Sequence, residues 1–179
     1  DPETGDTFTP EEMVDQVAIF SLAGHETSAS AIAWALYLLA AAPDIQDRAA
    51  AEVAAAWGNG APGFSDIRKL GFLRDVFRET LRLYPPVPMM LREASTSERF
   101  RDRDVPRGSL CILSPWHLQQ HERLWTDPHL FDQERLGLED TNEMRRQRNL
   151  PFSAEPRVHP GAGIALLVCS CPLGLVTPS

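Results

Sequence analysis

Apolar and polar positions sort this chain into a helical first half, a short extended middle and a polar, irregular stretch before a last apolar run. From Thr9 to about Ala42 apolar side chains fall on several faces at once (Val14, Val17, Ala18, Phe20, Leu22, Ile32, Trp34, Leu36, Leu38, Leu39). A helix that is apolar all round is a buried one, so the segment predicts a central core helix. Thr9 and Glu12 have capping-box spacing and Pro10 stands at the first helical position, which sets the start. At about 30 residues it would extend ~45 Å. Ala42-Pro43-Asp44 breaks the pattern, and Ile45 to Trp57 reads as a second, alanine-rich amphipathic helix. Gly58 to Gly63 is a loop by composition. A helical turn from about Ser65 to Leu70 leads into a third helix from about Phe72 to Tyr84, stopped by Pro85-Pro86. The runs Val87 to Leu91 and Leu110 to Leu113 flank turn material that includes Val105-Pro106-Arg107-Gly108, which predicts a small sheet. Trp116 to Leu124 reads as a further helix, and beyond Asp127-Pro128 the chain turns polar, through the charged run Glu139 to Arg148. The fold class is therefore mainly α with a small β-sheet.

Composition narrows the function classes. A chain of 179 residues suits one domain with a real core. The net charge of −8 argues against a nucleic-acid partner, and the basic run Arg145-Arg146-Gln147-Arg148 is too short to change that. No uninterrupted apolar stretch reaches the ~18 residues of a membrane span, so no membrane segment is expected in this chain. Three cysteines (Cys111, Cys169, Cys171) are too few and odd in number for a disulfide framework, and they fit a reducing, cytoplasmic setting. The abrupt entry into the largest helix, and the close on Val176-Thr177-Pro178-Ser179, read as part of a larger protein.

Several polar residues sit where a purely structural chain would not place them. Gly24 costs about 1 kcal/mol against alanine inside a helix and marks close approach of something large. Glu26 and Thr27 set a carboxylate beside a hydroxyl in the same apolar segment. Glu79 and Arg82, at i and i+3, share a helix face and can pair, and a buried pair needs a third polar partner, for which Arg135 is the candidate. Arg92 and Arg157 are cations in apolar settings that could clamp a ligand carboxylate. His159 is a candidate metal ligand, with a hydrogen-bonded loop histidine as the plain alternative. His25-Glu26 lacks the second histidine of a zinc-protease helix, since position 29 is alanine. His117 and His121 have i, i+4 spacing without a third ligand and read as surface residues.

Taken together, four motifs in order resemble the cytochrome P-450 superfamily, the haem-thiolate monooxygenases. Ala23-Gly24-His25-Glu26-Thr27 is similar to that family's distal helix, and Glu79-Thr80-Leu81-Arg82 with Leu83-Tyr84-Pro85-Pro86 to its E-x-x-R helix. Asp127-Pro128 through Phe131 to Glu134-Arg135-Leu136 resembles the segment that adds a second arginine, and Phe152 to Gly161 resembles the haem-binding loop. The resemblance implies haem as cofactor, with Ala23, Gly24, Phe152 and Gly161 around it, Arg92 and Arg157 on its propionates and His159 at the iron. It implies Glu26 and Thr27 as the catalytic proton-delivery pair, Glu79, Arg82 and Arg135 as a structural network, and Val87, Met89 and Met90 as substrate-pocket residues. The implied reaction inserts one oxygen atom of O2 into an apolar small molecule, with electrons from a ferredoxin or reductase and ultimately from NAD(P)H.

Departures from the family pattern define the open alternative. The haem-binding loop of the family reads Phe-x-x-Gly-x-Arg-x-Cys, and here Glu155 stands for the glycine and His159 for the cysteine. A thiolate pushes electron density toward iron, whereas histidine suits globin- or peroxidase-like behaviour. Gln119-Gln120 stands where the family has His-Arg, and the helix after Pro160 is expected to be cut short at Cys169-Ser170-Cys171-Pro172. These features divide the chain into residues 1–168, an incomplete haem-binding part, and a tail, 169–179, that leaves the pattern. The alternative function is a degenerate, inactive relative that binds haem through histidine or not at all.

Overall fold

The computed structural model of the chain describes residues 7–58, 63–136, 149–153, 159, 161–163, 165–166, 169 and 173. Arg157, Cys171, the run Glu139–Arg148 and most of the tail 169–179 lie outside the described residues. Helix α1 (Pro10–Ala41) starts where the capping pattern puts it. The Thr9 amide donates to Glu12 Oε2 at 2.9 Å and the Glu12 amide donates to Thr9 Oγ1 at 3.2 Å, satisfying two donors that a first turn leaves open. Pro43 ends α1, and the chain bends by 113° into α2 (Pro43–Trp57). Gly58, at φ 55°, closes α2 in a conformation that glycine adopts without strain. The single turn α3 (Phe64–Ile67) leads to α4 (Gly71–Leu83). No single helix among the described residues is long and apolar enough to cross a membrane.

Burial departs from the sequence expectation along α1. Ala31, Ala35, Leu38 and Leu39 are buried, whereas Met13, Val14, Val17, Phe20 and Leu22 are exposed, Leu22 by 82%. An apolar surface allows burial but needs something to cover it. Among the described residues, α2 and α4 pack on the carboxy-terminal part of α1 only. There Ala31, Ala35 and Leu39 form a stripe at i, i+4 and i+8 that joins Leu73, Val76, Phe77 and Leu81 of α4 and Ala49 and Val53 of α2 in one core. Each large apolar side chain fully buried here contributes about 1.5–3 kcal/mol. Trp34 of α1 stacks on Tyr84 just past α4, with ring centroids 3.9 Å apart, which ties the two helices at a second point.

A second correction concerns the end of the chain. Cys169, where a break was expected, and Leu173 beyond it are each helical and buried in this core. Leu166 packs against the same core as Cys169 and Leu173.

The small sheet takes the form of two antiparallel ladders. Strand β1 (Met90–Glu93) pairs with β4 (Leu110–Leu113), setting Arg92 opposite Cys111, and β2 (Glu98–Phe100) pairs with β3 (Arg103–Val105). Val87 and Met89 precede β1, which opens at Met90. Helix α5 (Pro115–Gln119) is shorter than the expected Trp116–Leu124, because Gln119 turns its backbone carbonyl and side chain to α4. A 3-10 turn, Gln133–Leu136, closes the segment that follows.

The start of α4 has no side-chain cap of its own. Glu52 of α2 replaces it, with Oε1 accepting from the Phe72 amide at 2.8 Å and Oε2 from the Leu73 amide at 2.9 Å. A carboxylate at a helix N-terminus also meets the positive end of the helix dipole. We expect Glu52→Ala to lower stability by about 1–2 kcal/mol in urea unfolding, as for a lost cap, and Glu52→Gln to lose less.

Candidate functional site

The periodicity of α4 that sends Leu73, Val76 and Phe77 into the core places Glu79 and Arg82 toward α5 and the segment after it. Both are fully buried. Arg82 grips Glu79 with two prongs, Nε to Oε2 and Nη2 to Oε1, each 2.8 Å. The remaining guanidinium hydrogens go to the carbonyls of Gln119 (2.7 Å), Pro128 (2.8 Å) and Leu130 (3.2 Å). Trp125 lies against the cation, with its ring centroid 5.1 Å from Arg82 Cζ. Glu79 Oε1 also accepts from the Asp132 amide at 3.2 Å and from Arg135 Nε at 3.4 Å. Arg135 is held in turn by the carbonyls of Thr126 and Asp127. Burial pushes the Glu79 carboxyl above its ordinary range, against the pull of Arg82, the Asp132 amide and Arg135. A buried ion pair persists only where such extra hydrogen bonds satisfy both partners.

Two residues that sequence reasoning noted only as departures carry much of this arrangement. The Gln119 side chain is buried and donates from Nε2 to the carbonyls of Leu81 and Arg82, each at 3.1 Å, while Oε1 accepts from the Leu150 amide at 2.8 Å. Gln120 Nε2 donates to the Leu83 carbonyl at 2.7 Å. The usable signal was the chemistry of the carboxamide, which offers donors and an acceptor together where unpaired helix-end carbonyls must be met.

On α1, Ala23 and Gly24 are exposed, and a Cβ built on Gly24 would meet nothing within 4 Å. The close approach expected at Gly24 is therefore not made by any protein atom, and the space beside it is open. Thr27 Oγ1 donates to the Ala23 carbonyl at 2.7 Å, so its lone pairs face away from that carbonyl. Glu26 lines an open groove with Ala18, Ser21, Leu22 and His25. One residue further on, Ser28 hydrogen-bonds the Cys169 thiol, which burial pushes above its ordinary range. That keeps Cys169 a neutral thiol inside the core.

Residues Leu150 to Ser153 form a turn. Ser153 sits at φ 66°, and its amide donates to the Leu150 carbonyl at 3.1 Å. The His159 amide donates to the Phe152 carbonyl at 2.9 Å, and the two rings meet edge-on with centroids 6.1 Å apart. His159 Nδ1 accepts from the Gly161 amide at 2.9 Å. A Cβ on Gly161 would come within 2.9 Å of His159 Cε1, so the glycine makes room for the ring.

The structure thus gathers Glu79, Arg82 and Arg135 into one network, and brings Phe152, His159 and Gly161 into contact. It does not join the other expected site residues to them. Arg92 is exposed on β1 and donates to the Leu91 carbonyl at 2.8 Å. Val87 and Met89 are exposed beside it and Met90 is half-buried. Arg157 lies outside the described residues. No hydrogen bond, ion pair or ring contact among the described residues links Gly24, Arg92 and His159. His117 pairs with Ser114 and His121 with the Arg123 amide, and no metal-holding cluster occurs among the described residues.

Removing Arg82 leaves the Glu79 carboxylate buried without its main partner. We expect Arg82→Ala to cost about 3–5 kcal/mol in chemical unfolding. Arg135→Ala should cost less than half as much, because Arg135 meets Glu79 through one longer bond while Arg82 keeps both prongs. Equal losses would show that the two arginines share the carboxylate evenly.

Comparison with known proteins gives the arrangement a family. The profile described as "Cytochrome P450" matches residues 1–176. Cyclooctat-9-en-7-ol 5-monooxygenase of Streptomyces melanosporofaciens is 37% identical over 153 residues, which cover 86% of this chain and 33% of that protein. Cyclooctatin synthase of the same organism is 36% identical over 157 residues, 88% of this chain and 34% of that one. The chain thus spans about a third of the length of these relatives. The crystal structure of the cytochrome P450DA heme domain superposes with a TM-score of 0.89 at 30% identity, covering 99% of this chain and 40% of that one. A family match that runs through every helix and strand described above makes this chain a member of the cytochrome P-450 family.

Proposed function

We propose that the chain is the carboxy-terminal, haem-binding part of a haem-dependent monooxygenase. The reaction would insert one oxygen atom of O2 into an apolar organic substrate, with a ferredoxin or reductase as electron donor and NAD(P)H as the ultimate source. The observation that carries the reading is the open face of α1, where bare space at Gly24 adjoins the Glu26–Thr27 pair within a family match. A relative named as a 5-monooxygenase supports the reaction class. The two described cysteines, Cys111 and Cys169, are free thiols, which suits a reducing, cytoplasmic setting.

The residues around that face fit a haem unevenly. Bound haem iron supplies the redox chemistry of dioxygen in this family, and the family's axial thiolate favours O–O cleavage. On the distal side, Gly24 leaves room, Thr27 Oγ1 holds its own proton on the Ala23 carbonyl, and Glu26 stands in the groove as an acid. On the proximal side the fit fails. His159 replaces the thiolate, and its Nδ1 accepts the Gly161 amide, which puts the lone pair on Nδ1 and the ring proton on Nε2. An imidazole in that tautomer turns an N–H, not a lone pair, toward any ligand at Nε2. Cys169 offers no replacement, since it is buried against Ser28.

That tautomer favours a second reading: a relative that keeps the fold and the distal pair without thiolate chemistry, and binds haem weakly through His159 or not at all. The experiment is haem titration of the full chain, followed by reduction under carbon monoxide. The wild-type chain is expected to take haem weakly and show a histidine-type Soret band. His159→Cys is expected to bind more tightly and shift the band to longer wavelength, as a thiolate does. A thiolate-type band in the wild-type chain would refute the role given to His159, and no uptake by either form would refute the haem-binding reading.

A further inference from the structure

We propose that Gln119 is a positioning residue: it ties the Leu150–Ser153 turn, and through Phe152 the His159 amide, to the end of α4. The inference goes beyond the proposed function and holds whether or not haem is bound.

The last carbonyls of α4 have no partners within the helix, and Thr80 alone finds a local one, the Tyr84 amide at 2.8 Å. The next three, those of Leu81, Arg82 and Leu83, are met by two consecutive side chains, Gln119 at the end of α5 and Gln120 just beyond it. Gln119 takes Leu81 and Arg82, and Gln120 takes Leu83. Gln119 faces α4 a second time through its own carbonyl, which accepts Arg82 Nη1 at 2.7 Å.

What separates the two glutamines is the remaining lone pair. Gln119 Oε1 accepts from the Leu150 amide at 2.8 Å, and from Leu150 the bonds continue toward His159. Ser153 bonds back to Leu150, and the Phe152 carbonyl takes the His159 amide. The Glu79–Arg82 network and His159 are therefore joined through one fully buried side chain. The orientation of the carboxamide is forced, because two of its neighbours are carbonyls and one is an N–H. Few side chains can do this. A neutral imidazole has one donor and one acceptor, a glutamate has no donor, and an apolar residue has neither.

A chain of contacts alone is not coupling, so the test measures coupling. Amide hydrogen exchange is followed on the full chain without haem, which keeps the outcome independent of the haem-binding reading. Gln119→Met and Gln120→Met both strip bonds from the α4 end, but only Gln119→Met also frees the Leu150 amide. We expect Gln119→Met to speed exchange of the Leu150 and His159 amides at least tenfold relative to Gln120→Met. Equal exchange at those two amides in both variants would overturn the proposal, since Gln119 would then do no more than cap α4. Leu150→Pro removes the third bond without touching Gln119, and it decides the matter if Gln119→Met does not fold. The His159 amide is expected to exchange faster in Leu150→Pro while the α4 amides keep wild-type rates. An unchanged His159 amide would overturn the proposal.

Discussion

The buried Glu79–Arg82 pair is the constraint that orders the rest of the structure. Two opposite charges at zero exposure are tolerated only when every remaining donor and acceptor is met. Meeting them brings in the carbonyls of Gln119, Pro128 and Leu130, the Asp132 amide and Arg135, which lie on two stretches of chain, the end of α5 and the segment from Pro128 to Arg135. The segment from Pro128 to Arg135 has little regular structure of its own beyond one 3-10 turn. Its path follows from where Arg82 and Glu79 need partners, so an irregular segment acquires a definite course from one ion pair.

Much of this was legible in the residues, and the failures have a common physical root. Helix positions followed from apolar spacing and from breakers such as Pro43, and the Glu79–Arg82 pair followed from spacing on one face. Arg135 was identified because its motif follows the other two in order. Spacing along one helix, however, does not say what lies against it. That is why the amino-terminal part of α1 was expected in the core and is exposed, and why Glu52 was not recognised as the cap of α4. It is also why Cys169 and Leu173 were not expected in the core: Cys169-Ser170-Cys171-Pro172 resembled a break, and nothing in that run says what it packs against.

The two sides of the expected cofactor region differ in kind. The distal stretch needs only an open face, one missing side chain and a hydroxyl–acid pair, all of which a helix can carry alone. The proximal side depends on a single donor atom in the right protonation state. At His159, the residue proposed to face the iron, the Gly161 amide donates to Nδ1, so the ring proton sits on Nε2 and neither nitrogen presents a free lone pair.

The capping of α4 has a consequence for how the chain folds. Its amino end is held by Glu52, some 20 residues upstream, and its carboxy end by glutamines some 37 residues downstream. Thirteen residues of isolated helix are marginal in water, so neither end closes until distant parts of the chain arrive. Long loops must form before those bonds repay the lost chain entropy. The helix that organises the native protein therefore depends at both ends on bonds that only the assembled chain supplies.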